Sequence, residues 1–165
     1  MPNQSTPHST VLFKYQGLST ALCLGLLIGM VDINIKQAIA GFFSEKPDSI
    51  VVIGDFLNFH LEKNTALAFS IQLPFQIILF LNTAIFILLA TYLAKKLNFT
   101  NKLAIFIYAL LLAGAISNLY ERIALGYVTD FIAVGNFPVF NLADSFITIS
   151  IFLLILFYDR ITRPF

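Results

Sequence analysis

The sequence predicts an all-α membrane protein of four transmembrane helices, with short strands and a short interfacial helix in the connections. Three observations predict it. The 165 residues are 58% hydrophobic and only 12% charged, with a mean hydropathy of +0.85, which exceeds what a soluble chain of one-domain length can hide. Uncharged apolar runs recur along the chain, and lysine and arginine collect in particular connections between them. The net charge of +1 leaves no basic stripe for nucleic acid. Cys23 is the single cysteine and His8 and His60 are far apart, so no disulfide framework or metal site is indicated and no cofactor is expected.

Residues 1–165 are read as a single integral membrane domain, in which Met1–Thr10 forms a disordered cytoplasmic tail. A membrane helix needs about 20 largely apolar residues to cross about 30 Å of hydrocarbon, and Tyr15–Val31 is the first such run. A secretory signal is outlined by this run and Ala38-Ile39-Ala40. Asp32 and Lys36 stand between them, and cleavage would leave the lysine-rich loop outside, so the segment is read as retained. Thr20–Cys23 falls short of a lipoprotein box because Leu22 is bulky, and Cys23 reads as membrane-facing.

The long connection from Asp32 to Phe69 is structured. A turn near Pro47, β-branched Ile50–Ile53 and period-two alternation over Phe56–Glu62, around Gly54-Asp55, predict short strands. Ala38–Phe43 is read as a short amphipathic piece along the interface. Ser70–Ala94 and Leu103–Tyr120 are the second and third spans. The connection Glu121–Pro138 carries a strand-like pattern over Tyr127–Ile132. The fourth uncharged run, Ser145–Tyr158, reaches only about 21 Å as a helix. A start near Val139 would lengthen it and immerse Asp144 shallowly below the surface.

Orientation follows from the short basic connections. Lys95, Lys96 and Lys102 flank the second loop, and Arg160 and Arg163 lie in the tail, so both termini are assigned to the cytoplasm. Asp32, Lys36, Asn64, Asn118, Glu121, Arg122, Asp130, Asn141 and Asp144 then all fall on the outer side. Ionisable groups at or within the membrane are candidates for function. No serine has a convincing base beside it, and no outer cysteine is available as a nucleophile. Asp130 and Asp144 remain as the natural reactive pair. Two carboxylates brought together in a low-dielectric place share one proton, which leaves a base for water and an acid for the leaving group.

Singly, each candidate has a plainer reading. Asp130 reads as a solvated loop acid, and Asp144 as a helix-locking hydrogen bonder. Asn64, Asn118 and Asn141 read as caps or turns, Arg122 as an interfacial snorkeller, and Asp32 with Lys36 as an i,i+4 ion pair. In order along the chain, however, DINIK (Asp32–Lys36), NFHLEKNTALAFS (Asn58–Ser70), AGAISNLYERI (Ala113–Ile123), VTDFI around Asp130 and FNLADS around Asp144 resemble the five motifs of the lipoprotein signal peptidases, signal peptidase II. These are aspartyl proteases of the bacterial inner membrane.

The resemblance implies that Asp130 and Asp144 are the catalytic dyad. It implies that Asn64, Asn118, Arg122, Asn141, Asp32 and Lys36 orient the dyad or bind substrate. It also implies four transmembrane helices with a small extracytoplasmic β-platform and a mobile interfacial helix. The implied substrate is a prolipoprotein already carrying a diacylglyceryl group, cut just before the lipidated cysteine at the outer membrane face. Membrane lipids are the surroundings, and the chain is read as a monomer. Glu121 replaces the usual aspartate, while Ala113, Ser117 and Ala66-Leu67 stand where glycine or smaller residues are common. These departures bear on substrate preference and on sensitivity to the cyclic-peptide inhibitors known for the family.

Two other classes stand as rivals. A non-catalytic paralogue would bind lipidated signal helices without cutting them. A small transporter would use Asp144 as an ion ligand, but the middle of the fourth run, Ile149–Leu156, offers it only Ser150.

Overall fold

The computed structural model describes residues 7–45, 49–54, 56–66 and 73–163. Helices α1 (Pro7–Glu45), α2 (Phe75–Lys96), α3 (Lys102–Leu125) and α4 (Leu142–Thr162) and strands β1 (Ile50–Ile53), β2 (Leu57–Asn64) and β3 (Val128–Val134) follow one another in the order α1-β1-β2-α2-α3-β3-α4. All four helices are long and apolar enough to cross a membrane, and the strands form one antiparallel sheet in the order β1-β2-β3.

α3 is the hub, packed against α1, α2 and α4, and most of the core lies along it. The outer faces of the other helices are bare hydrocarbon: Phe80, Leu88 and Ile155 are each about 70% exposed, as lipid-facing side chains are. Small residues let the helices approach closely. A Cβ at Gly29 of α1 would sit 3.2 Å from the Ala113 carbonyl oxygen of α3, and one at Gly114 would sit 2.4 Å from that of Ala143 in α4. Gly114 and Ala143 therefore fix the α3–α4 crossing beside Asp144.

Several expected boundaries move. α1 runs unbroken to Glu45, so Ala38–Phe43 is its last stretch rather than a separate interfacial helix. Asp32 and Lys36 are helical instead of lying in a connection, because nothing between Val31 and Glu45 breaks the helical hydrogen bonding. α3 likewise continues through Glu121 and Arg122 until Gly126 closes it in the left-handed region at φ 82°. Pro7 to Thr10, expected in a disordered tail, are helical. Residues 1–6, Pro47, Asp55, Leu67, Phe69 and Ser70 lie outside the described residues.

The largest correction concerns α4. It begins at Leu142, not near Val139, and Asp144 occupies its first turn. Asn141 and Asp144 form a reciprocal capping box: the Asp144 N–H donates to Asn141 Oδ1 at 2.9 Å, and the Asn141 N–H donates to Asp144 Oδ2 at 3.2 Å. The length missing at this end is recovered at the other, where α4 continues past Asp159 and Arg160 to Thr162. Charged side chains can sit on such a helix end by reaching toward water. Asp159 and Arg163 are largely exposed there.

That end is tied to the α2–α3 loop. The Asn98 N–H donates to the Ile161 carbonyl at 2.8 Å, and Asn101 Nδ2 donates to that of Arg160 at 3.2 Å. Lys95, Lys96, Lys102, Arg160 and Arg163 consequently share one end of the bundle, while Asn118 and Arg122 lie toward the other end of α3.

Candidate active site

Asp130 is brought to the site by the sheet. β2 pairs with β3 so that Asn64 faces Val128 and Glu62 faces Asp130, with an irregularity between Phe59 and Glu62. Asn64 reaches diagonally across this pair, and its Nδ2 donates to Asp130 Oδ2 at 2.8 Å. After β3 the chain turns back, and Phe140 bridges to Ile132: the Ile132 N–H donates to the Phe140 carbonyl at 2.8 Å and the Phe140 N–H donates in return at 3.0 Å. This return sets Asn141 beside Asp130.

Asn141 is fully buried and serves both aspartates. Its Nδ2 donates to Asp130 Oδ1 at 2.6 Å, and its backbone N–H is the donor to Asp144 Oδ2. The remaining oxygen of Asp144 accepts from Asn118 Nδ2 at 2.8 Å. Each carboxylate therefore has both oxygens engaged, and an aspartate on β3 and one on α4 are coupled through one asparagine.

Burial pushes the Asp130 carboxyl up to about 6. The negative charge of Asp144 adds to that rise, while the Asn64 and Asn141 hydrogen bonds and the Lys36 ammonium oppose it. A carboxylate pair held this way can keep one proton near neutrality while the other member stays ionised.

The expected supporting residues all arrive. The buried Arg122 donates from Nη2 to the Ala66 carbonyl at 3.1 Å, and its charge lies near Asp130, Asp144 and Glu121. Asp32 and Lys36 make the i,i+4 ion pair at 3.0 Å, fully buried and without a hydrogen bond or ion pair to Asp130 or Asp144. Lys36 instead donates to Asn118 Oδ1 at 2.7 Å, so it acts on Asp144 through an amide.

Two members of this cluster, Ser117 and Thr129, were not among the sequence candidates, and Glu121 was named among the outer-side ionisable groups without a specific role. Ser117 donates to Asp32 and accepts from Lys36 at 3.3 Å. Glu121 pairs with Lys36 at 3.2 Å, and Thr129 donates to Glu121. The signal for Ser117 lay on α3: Gly114, Ser117, Asn118, Glu121 and Arg122 recur three and four apart, on one helical face. Ser117 thus has polar partners across the α1–α3 contact, at a position that the sequence marked only as a departure from glycine or a smaller residue.

A family model described as "Signal peptidase (SPase) II" matches residues 24–159. Among curated proteins, the chain is 34% identical to a lipoprotein signal peptidase of Chlorobium luteolum, over 84% of this chain and 90% of that protein. It is 37% identical to one of Francisella tularensis subsp. novicida, over 80% of this chain and 86% of the other. Among solved structures, a bacterial membrane enzyme determined by the in meso method superposes with a TM-score of 0.70 at 26% identity, covering 86% of this chain and 88% of that one.

Proposed function

The chain belongs to the signal peptidase II family, and from that premise we propose how its buried polar cluster carries out the family's reaction. The protein is a multi-pass membrane peptidase that removes signal peptides from prolipoproteins. In the proposed reading Asp130 and Asp144 are the catalytic pair and share one proton. The ionised member takes a proton from water as that water adds to the scissile carbonyl. The protonated member hydrogen-bonds the carbonyl oxygen. When the C–N bond breaks, the proton passes to the departing amine.

The observation that carries this reading is Asn141, whose side chain and backbone donate to the two carboxyl groups at 2.6 Å and 3.2 Å. Asn64 and Asn118 hold the outer oxygens, Arg122 supplies positive charge beside them, and Asp32 with Lys36 backs Asn118. Cleavage before a diacylglyceryl-bearing cysteine suits a pair set at the first turn of α4, where a lipid-tethered bond would lie near the interface.

The site stands at the opposite bundle end from the five basic residues Lys95, Lys96, Lys102, Arg160 and Arg163. The positive-inside rule then favours cytoplasmic termini and an outward site. We take the working unit to be a monomer in contact with bilayer lipid. The test is co-expression with a tagged prolipoprotein in cells lacking their own peptidase of this type. Asp130→Asn and Asp144→Asn should leave the precursor unprocessed, and processing at the parental rate by either variant would overturn the assignment.

A further inference from the structure

The family resemblance treats Glu121 only as a replacement for aspartate, but its contacts are specific. Buried on α3, its Oε1 accepts from Thr129 Oγ1 at 2.6 Å, and its Oε2 accepts from the Thr129 backbone N–H at 2.9 Å. Thr129 immediately precedes Asp130. The same Oε2 lies 3.2 Å from Lys36 Nζ.

Lys36 has a second role in this arrangement. Its ammonium donates to Asn118 Oδ1 at 2.7 Å. That fixes which end of the amide faces away, so Nδ2 is the end presented to Asp144. One cation thereby joins two arms, Asn118 to Asp144 and Glu121 through Thr129 to Asp130. Ion pairs buried this deeply are a poor source of net stability, because desolvation offsets their attraction. What such a network supplies is a fixed geometry.

Building on the assignment of Asp130 and Asp144 as the reacting pair, we propose that Glu121 is a positioning residue. By gripping Thr129 at backbone and hydroxyl and sharing Lys36 with Asn118, it sets Asp130 in register with Asp144. Glu121 acts only through Thr129 and Lys36, and itself takes no part in proton transfer.

Thr129→Val tests this without altering charge, since valine keeps the shape and lacks the hydroxyl donor. The assay uses the full-length purified enzyme in lipid with a diacylglyceryl-modified prolipoprotein as substrate, and thermal unfolding is followed in parallel. Loss of a hydrogen bond to a buried carboxylate should lower kcat by about tenfold to a hundredfold with KM within about twofold. Thr129→Ser, which retains the hydroxyl, should recover to within about threefold of the parent.

Thr129→Val combined with Glu121→Gln should be no slower than Glu121→Gln alone, the signature of one shared interaction. An unchanged kcat in folded Thr129→Val, or losses that multiply in the double variant, would overturn the proposal. Asp130→Asn and Asp144→Asn run alongside. A parental rate in either sinks the assignment and the proposal with it, whereas dead aspartate variants beside a normal Thr129→Val sink the proposal alone.

Discussion

Asn141 ties Asp130 to the start of α4: its Nδ2 lies 2.6 Å from Asp130 Oδ1, while its Oδ1 accepts the Asp144 N–H as the cap of that helix. One side chain closes a helix with its oxygen and holds a strand carboxylate with its nitrogen. The two jobs separate by substitution.

Asn141→Ser keeps a capping oxygen and loses the amide donor, whereas Asn141→Ala loses both. Both variants should lose prolipoprotein cleavage by about a hundredfold or more, as removal of a buried active-site donor does. Only the alanine variant should suffer the further loss of about 1 kcal/mol that goes with an absent N-cap. Rates and thermal unfolding measured on the same preparations check this, and a serine variant at parental activity would contradict it.

Asp130 makes stability depend on pH in a stated direction. Its folded pKa is raised to about 6, chiefly by burial and then by Asp144, above an unfolded value near 3.9. The folded state therefore holds its proton more tightly than the unfolded chain does. Stability from this group is fully present below the unfolded pKa and is lost as pH rises through about 6. Relative to Asp130→Asn, the parent should gain about 1 kcal/mol as pH falls from about 7.5 to about 5. Melting curves of both proteins at the two pH values decide it.

Gly114 lies against Ala143 and Ile147 where α3 and α4 pack. An added Cβ would lie 2.4 Å from the Ala143 carbonyl oxygen and 2.7 Å from Ile147 Cγ1, so Gly114→Ala must push the helices apart. A destabilisation of about 1–3 kcal/mol is expected from overpacking. The Asn118–Asp144 hydrogen bond, one turn further along α3, should weaken, and kcat should fall more than KM rises. Parental stability and rate in this variant would show that the crossing relaxes without moving the site.

Hydrocarbon content and charge placement by themselves determined four membrane helices, strands in the connections after α1 and α3, and the residues that gather at one end of the bundle. Those features are local: they follow from the apolar length a bilayer requires and from period-two alternation within a few residues. Element ends were less legible. Polar residues such as Asp32, Lys36 and Glu121 read as the edges of spans, yet they lie inside helices, where Asp32 pairs with Lys36 one turn on and Lys36 reaches Glu121 across to α3.

Only the tertiary structure decided how the aspartates meet. Asp144 was expected shallowly immersed within a helix starting near Val139, and the capping box with Asn141 set it in the first turn of a helix starting at Leu142 instead. The coupling of Asp130 to Asp144 runs through a strand return, an asparagine and a close glycine crossing. Hydrogen bonds between residues far apart along the chain leave no periodicity behind them, so the chain's order named the participants while packing chose their partners.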